Sequence, residues 1–128
     1  MWTFKQSSGE LFAADGTLRG HGYSGGNIPP HFDASAVNNP DRQNEPCIGP
    51  LPRGVYTIGP AHTEPRLGPV AMRLTPDPKN AMQGRSDFWI HAPSPAHPLE
   101  SSEGCIVLDA APRREIAASS DRMLTVVA

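Results

Sequence analysis

The chain has 128 residues, of which 38% are hydrophobic, and its formal net charge is −2. This length suffices for one domain with a hydrophobic core, which we place at residues 1–128. The weak charge, without a basic cluster beyond "PRRE", argues against nucleic-acid binding, and no apolar run approaches the ~18–20 residues that insert into a bilayer.

The 12 glycines and 15 prolines alternate with short apolar runs, a pattern typical of turns between strands in a mostly β domain. Residues 2–13 predict a hairpin, because Trp2 and Phe4 share one face and "SSG" supplies a turn. A further strand is predicted at residues 17–23. Residues 24–50 are rich in Gly, Asn, Pro and Asp, and we predict a long functional loop there.

Four more strands are predicted after this loop, at residues 53–59, 70–76, 86–93 and 105–109. The segment "DAAPRREIAASSDR" that follows predicts the one helix of the chain, capped by Asp109 or Ala110. Pro112 suits its first turn, and Ile116 is expected to face inward. Residues 123–128 predict a closing strand.

Cys105, in "SSEGCIVLD", is the candidate nucleophile. A catalytic thiol needs a base and donors for an oxyanion, and His91 at the end of a predicted strand could be the base. Gly104 allows a tight turn before the sulfur, and the amides of Gly104 and Cys105 could face an oxyanion. Ser102 and Glu103 could orient the histidine or the substrate. The alternative is that Cys105 is a core thiol that opens an apolar strand.

The other cysteine, Cys47, allows one disulfide with Cys105 in an oxidising compartment. Neither cysteine has the spacing of a zinc ligand, and His21, His31 and His62 are scattered along the chain. The sequence therefore predicts no metal site and no cofactor.

"FWIHAP" followed by "SSEGCIV" resembles the signature of YkuD-like L,D-transpeptidase catalytic domains, which is a histidine, a loop and Ser/Thr-His-Gly-Cys. Glu103 stands where that pattern has its second histidine. "GPLPRGVYTIG" resembles the family's Thr-Pro-x-Gly-x-Tyr/Phe strand. The whole chain is similar to the short type VI secretion L,D-transpeptidase effectors, through its Trp-containing hairpin, "YSG", the Asn/Pro stretch, "GPLPRGVY" and "SEGCI".

The resemblance implies a YkuD-like β-sandwich or barrel, with one short helix after the cysteine strand and Cys105 at the mouth of a groove. It implies acyl transfer on peptidoglycan tetrapeptide stems. Cys105 would attack the carbonyl between meso-diaminopimelate and D-Ala, while His91 moves the proton. Water would resolve the thioester in an L,D-carboxypeptidase, and a D-amino acid or a second stem would resolve it in an exchange or transpeptidase reaction.

Five residues are the candidates for substrate binding: Tyr23, Ser24, Arg53, Trp89 and Glu103. Tyr23 and Ser24 precede the long loop, and either line the groove or form a turn. Arg53, or else Arg73, suits bidentate contact with a diaminopimelate carboxylate. Trp89 shares a strand face with His91 and could pack or stack on substrate.

The resemblance also implies an antibacterial toxin with a cognate immunity protein and a secretion-system carrier. The first 17 residues, "MWTFKQSSGELFAADGT", are too polar for a secretory signal. We therefore expect synthesis in the cytoplasm without a signal peptide, secretion, and action in the periplasm of a target Gram-negative cell. Three alternatives stay open: another cell-wall cysteine peptidase or amidase, a non-catalytic wall-binding domain with an unreactive Cys105, and a disulfide-stapled binding domain.

Overall fold

The computed structural model describes residues 1–28 and 30–128. Its strands are β1 (Trp2–Lys5), β2 (Glu10–Phe12), β3 (Leu18–Ser24), β4 (Asn27–Ile28), β5 (His31–Phe32), β6 (Gly54–Ile58), β7 (His62–Glu64), β8 (Gly68–Pro76), β9 (Phe88–His91), β10 (Ile106–Leu108) and β11 (Met123–Val127). One α-helix, α1, covers Ala110–Ala118, and two 3₁₀-helices cover Ala34–Ala36 and Pro40–Arg42. The mostly β class with one short helix after the cysteine strand is therefore confirmed.

The main sheet has the strand order β6-β11-β1-β2-β3-β10-β9-β8-β7. Because β6 also pairs with β8, the strands from β6 round to β8 close into a barrel, and β7 extends its rim. Closure removes the unpaired edges that an open sheet would expose. The β4–β5 pair forms a separate small hairpin.

Alternation of apolar and polar residues places the core inside this barrel. Trp2 and Phe4 are buried whereas Lys5 is exposed, as expected for a strand with one inward face. The buried cluster draws on most strands, and Ile116 of α1 packs into it. Helix α1 begins after Asp109, whose backbone is extended, and Pro112 lies in its first turn as the sequence predicts.

Two strands that carry the candidate site are neighbours. β9 and β10 are parallel, with Ile90 opposite Ile106 and His91 opposite Val107. β3 flanks β10 on its other side, with Tyr23 opposite Val107. The segment that enters β10 therefore lies beside the start of β9, and His91 lies further along β9, opposite Val107.

The structure corrects four details of the predicted elements. The predicted loop at residues 24–50 contains the β4–β5 hairpin and both 3₁₀-helices, and Pro29 within it lies outside the described residues. Strand β7 was not predicted. Cys105 precedes β10 instead of opening it. Helix α1 ends at Ala118, because Ser119 is already extended and its amide donates to the Ile116 carbonyl. Over the described residues, no helix is long and apolar enough to span a membrane.

Candidate active site around Cys105

A cavity of about 530 Å³ opens beside Cys105. Its walls come from the loop before β6, the β7–β8 hairpin, the segment that enters β9 and the turn that enters β10. The lining residues are Pro46, Cys47, Glu64, Arg66, Leu67, Gly84, Arg85, Ser86, Asp87, Phe88, Trp89, Glu103 and Cys105. The cavity thus holds both cysteines and side chains of both charges, which suits a polar, charged ligand.

The Cys105 thiol is half-buried, and its Sγ accepts a hydrogen bond from the Trp89 backbone N–H at 3.3 Å. Burial raises the pKa of this thiol to about 12, and the carboxylates of Asp87 and Glu103 act in the same direction. The Trp89 amide and the Arg85 charge oppose that rise in the pKa. The thiol is therefore protonated at neutral pH, and a nucleophilic reaction needs a base to take its proton.

His91 is 3% exposed, and its Nδ1 lies 2.7 Å from the Ala92 carbonyl oxygen. A carbonyl only accepts, so this contact assigns the ring proton to Nδ1 and leaves Nε2 as an acceptor. Burial lowers the pKa of His91, and the Arg113 charge lowers it further against the effect of the Ala92 carbonyl. The imidazole is consequently neutral at pH 7, which is the form that a general base requires.

Strand register relates the two groups. Trp89 and His91 are two residues apart in β9, so their side chains lie on the same side of the strand. The hydrogen bond from the Trp89 amide to Sγ places Cys105 beside Trp89. His91 therefore lies two residues further along β9 than the position beside Cys105, on the same side of the two parallel strands. Within residues 1–28 and 30–128, no hydrogen bond joins His91 to Cys105, and His91 is not part of the cavity lining.

Ser102 organises the turn before Cys105 from a fully buried position. Its Oγ accepts from the amides of Gly25 at 2.8 Å and Gly104 at 3.1 Å, and donates to the Cys105 carbonyl. The Gly104 amide is thus occupied inside the turn and does not face the cavity as the sequence suggested. The Cys105 amide is the remaining donor of the expected oxyanion pair.

Of the five substrate-binding candidates, the structure places Trp89 and Glu103 in the cavity wall and the other three outside it. Ser24 is fully buried, where its Oγ donates to the Gly104 carbonyl at 3.0 Å and accepts from the Leu51 amide at 2.8 Å. Its single proton is already donated to Gly104, so the hydroxyl cannot donate a hydrogen bond to a substrate. Ser24, the last residue of β3, instead connects the turn before Cys105 with the Leu51 segment that precedes β6.

Tyr23 and Arg53 also make contacts within the protein. The Tyr23 hydroxyl donates to the Pro98 carbonyl at 2.6 Å and accepts from the Ser101 amide at 3.0 Å, so it fastens the loop between β9 and β10. Arg53 is exposed and donates to the Gln6 side chain at 3.1 Å. Neither residue lines the cavity.

Trp89 is the centre of a polar cluster at the cavity rim. The Arg73 guanidinium carbon lies 5.4 Å from its ring centroid, and the His62 ring meets it edge-on at the same centroid distance of 5.4 Å. Asp87 accepts from Trp89 Nε1 at 3.3 Å and pairs with Arg73 at 3.6 Å. Of the two arginines that the sequence offered for a diaminopimelate carboxylate, Arg73 contacts a residue of the cavity wall, whereas Arg53 contacts Gln6.

Sequence reasoning missed Arg85, which is buried in the cavity wall, because a single arginine in the turn "QGRSD" has no distinguishing pattern. Cys47 was considered as a disulfide partner, and the structure shows both thiols free in the same cavity. Its φ of +66° strains the backbone at the wall. Over the described residues, no group of three His, Cys, Asp or Glu side chains could hold a metal ion.

Comparison with solved structures finds the L,D-transpeptidase (residues 123–326) from Xylanimonas cellulosilytica DSM 15894, with a TM-score of 0.47 and 13% identity. The alignment covers 98% of this chain and 58% of that chain, so this chain spans little more than half the length of the solved one. A search of curated protein sequences finds no match.

A family model described as "Tlde1 domain" matches residues 20–127. That range contains His91, Cys105 and every segment of the cavity wall. The resemblance read from "FWIHAP", "GPLPRGVY" and "SEGCI" is thereby confirmed at the level of the family. The chain belongs to the Tlde1 domain family, the family of type VI secretion L,D-transpeptidase effectors.

Proposed function

We propose that the protein catalyses cysteine-dependent acyl transfer on peptidoglycan tetrapeptide stems, with residues 1–128 acting as one catalytic domain. The observation that carries the proposal is the placement of the Cys105 thiol in a charged cavity, with a neutral His91 on the neighbouring parallel strand. The chemistry needs a thiol at a solvent-accessible wall and an unprotonated imidazole nearby. Family membership supplies the substrate class.

In the proposed reaction, His91 Nε2 takes the thiol proton as Cys105 Sγ attacks the carbonyl between meso-diaminopimelate and the terminal D-Ala. The Cys105 amide faces the oxyanion of the tetrahedral intermediate. Collapse expels the D-Ala amine, which takes the proton back from His91, and leaves a thioester on Cys105. Water resolves the thioester to a tripeptide, or the amine of a D-amino acid or a second stem forms a new amide; in each case Cys105 regains its proton.

The raised pKa of Cys105 does not oppose this reaction. A thiol that is neutral at rest resists oxidation and alkylation, and its proton is removed only when the substrate carbonyl is in place to accept the electron pair. Proton transfer to His91 during the attack avoids a free buried thiolate. Trp89 and Glu103 of the cavity wall, with Arg73 at the rim, are the proposed contacts for the charged diaminopimelate side chain.

The test compares the wild-type protein with Cys105→Ala on disaccharide-tetrapeptide from Gram-negative peptidoglycan, with and without D-Met, read by mass spectrometry. We expect the wild type to release D-Ala or to replace it with D-Met, and Cys105→Ala to do neither. Cys47→Ser is the matched control, because Cys47 shares the cavity and has no proposed role. Intact tetrapeptide in all samples would contradict the proposal and support a non-catalytic wall-binding domain, whereas cleavage at another bond would identify a different peptidase or amidase.

As a type VI secretion effector, the protein is proposed to be secreted and to act in the periplasm of a Gram-negative competitor. A carrier of the secretion system and an immunity protein that covers the Cys105 cavity complete this proposal. We expect the product of the adjacent gene to bind the purified protein and to inhibit D-Ala release. Co-purification that yields no complex, together with full activity in its presence, would contradict the immunity assignment.

A further inference from the structure

Arg85 is the buried cation of the candidate site. It lies in the connection between β8 and β9, 7% exposed, and lines the cavity together with Cys105. No carboxylate in the described ranges, 1–28 and 30–128, forms an ion pair with it. Burying a guanidinium without an anionic partner is costly, so its retention needs an explanation from its other contacts.

Backbone carbonyl groups supply those contacts. Arg85 Nη1 donates to the carbonyls of Gln43 and Pro50, each at 2.7 Å. Nη2 donates to the carbonyls of Gly49 at 2.9 Å and Glu103 at 3.4 Å. The planar fork of one guanidinium thus connects the loop before β6 with the turn that enters the nucleophile strand. Carbonyl acceptors satisfy the N–H groups but leave the full positive charge in place.

The same guanidinium touches both segments that position the thiol. Its central carbon lies 5.2 Å from the Phe88 ring centroid, and Phe88 directly precedes the residue whose amide donates to Sγ. On the other side, a Cβ added at Gly104 would lie 2.5 Å from Arg85 Nη2, so the guanidinium packs on the backbone just before Cys105.

Charged groups of both signs surround the thiol, and Glu64 and the exposed Arg66 line the same cavity. The carboxylates of Asp87 and Glu103 disfavour a negative charge on Sγ, and Arg85 is the cation that opposes them. A positive charge next to a cysteine favours the thiolate and the anionic states that follow its attack. His91, the proposed base, is neutral before the reaction and therefore supplies no positive charge to the thiol.

We propose that Arg85 is a positioning residue for the nucleophile, which ties the loop before β6 to the Cys105 turn and supplies the positive charge that favours the thiolate. This inference rests on the proposed role of Cys105. Arg85 lies outside every sequence motif that was used to predict the site.

The test measures the rate at which iodoacetamide alkylates Cys105, in a Cys47→Ser background so that one thiol remains. At pH values below the thiol pKa this rate follows the thiolate fraction, and a change of one pKa unit changes it tenfold. We expect Arg85→Gln to slow alkylation about tenfold at every pH from 7 to 9, through loss of the positive charge. A purely structural loss would loosen the wall, expose the sulfur and speed alkylation, so a rate at or above the wild-type rate would overturn the proposal.

Two further variants complete the test. Arg42→Gln is the matched control, because Arg42 braces the same loop through Asp33 and Glu45, each at 2.7 Å, without lining the cavity; we expect the alkylation rate of the wild type. Arg85→Lys keeps the charge but has three donors for four carbonyls. If Arg85→Gln does not fold, Arg85→Lys carries the test.

For Arg85→Lys we expect alkylation within about threefold of the wild-type rate, while D-Ala release falls at least about tenfold because the turn is less well positioned. A tenfold loss of alkylation in this variant, or full D-Ala release, would overturn the assignment. The alkylation readout uses no peptidoglycan. If the acyl-transfer proposal fails because Cys105→Ala retains activity, the effect of Arg85 on thiol reactivity is still measured separately.

Discussion

The backbone N–H of Trp89 donates to Cys105 Sγ at 3.3 Å, across the start of two parallel strands. This bond sets the position of the sulfur relative to β9 and thereby relative to His91, two residues further along that strand. The amide favours a negative charge on the sulfur, but burial outweighs it and keeps the thiol protonated. The proposed attack by Cys105 therefore requires that its proton be transferred to a base as the new bond forms.

The two free thiols should differ in their reactivity at rest. Cys47 is exposed, whereas Cys105 is half-buried with its pKa raised to about 12 by burial. At pH 7.5 without substrate, we expect iodoacetamide to modify Cys47 at least about tenfold faster than Cys105, because the thiolate is the reactive form. Peptide mapping by mass spectrometry over time measures both rates. Faster modification of Cys105 would contradict the raised pKa.

Removal of the proposed base should impair turnover but not folding by itself. We expect His91→Asn to lower the rate of D-Ala release by about 10²–10⁴, the usual contribution of a general base. The thermal unfolding transition should remain cooperative, which circular dichroism checks. His97→Asn is the matched control, since His97 is exposed in the loop between β9 and β10 and outside the cavity lining. Equal turnover in the two variants would argue that another group takes the thiol proton.

His91 should also make stability depend on pH. Its pKa is lowered by burial from its ordinary value of 6.5, so in the folded state it stays neutral where the unfolded chain takes a proton. The free energy of unfolding should therefore be fully retained above about pH 6.5 and fall as the pH drops below it, by at most about 1.4 kcal/mol per pH unit from this one group.

Urea denaturation between pH 7.5 and 5.5 measures this slope. We expect His91→Gln to show a flatter dependence than the wild type, because glutamine takes no proton in either state. His97→Gln should keep the wild-type slope. The opposite ordering of these two variants would show that His91 is not held neutral in the folded protein.

Ser102 should matter for stability as well as for the site. Ser102→Ala leaves the buried amides of Gly25 and Gly104 without their acceptor. Each unpaired buried donor costs about 1–3 kcal/mol, so we expect the free energy of unfolding to fall by about 2–6 kcal/mol. Ser101→Ala is the comparison, since its hydroxyl bonds to Ser94 and His97 in a loop that water reaches, and we expect a loss below about 1 kcal/mol. Equal losses in urea denaturation would contradict this account.

Gly104 should not tolerate a side chain. Its φ is +124°, and an added Cβ would lie 2.5 Å from Arg85 Nη2 and 2.7 Å from the Phe88 ring. Because four carbonyls accept hydrogen bonds from the Arg85 guanidinium, it cannot move aside without losing some of them. We expect Gly104→Ala to cost at least about 3 kcal/mol, the backbone strain alone accounting for about 1–3 kcal/mol, and to abolish D-Ala release.

Gly84→Ala is the matched control for that substitution. Gly84 also has a positive φ, +70°, but a Cβ there would meet no atom within 4 Å. We expect a loss of only about 1–2 kcal/mol, the cost of a left-handed backbone without a clash. Thermal unfolding of the two variants separates backbone strain from the contact with Arg85, and equal losses would show that the contact carries no weight.

The short-range features of this protein follow from its sequence. Alternation in "WTFK" and "GVYTI" predicts inward faces, and Pro112 followed by Ile116 predicts a helix after the cysteine strand, because these depend on neighbours a few residues apart. The ordered motifs around His91 and Cys105 were likewise sufficient to predict the family. Strand β7 was not predicted, because "HTE" is short and polar and has no alternating apolar pattern. Its strand conformation comes from backbone pairing with β8.

Tertiary structure alone decided which polar residues face the cavity. Tyr23 and Ser24 belong to the "YSG" motif, but in the folded protein Ser24 is buried in the core and the Tyr23 hydroxyl bonds to the Pro98 loop. Arg85 lies in no motif, and it reaches the site because folding brings residues 43–50 and Glu103 to within hydrogen-bond distance of its guanidinium. Side-chain periodicity is local and can be read along the chain, whereas the acceptors of a buried cation come from segments far apart in sequence, which only the closed barrel brings together.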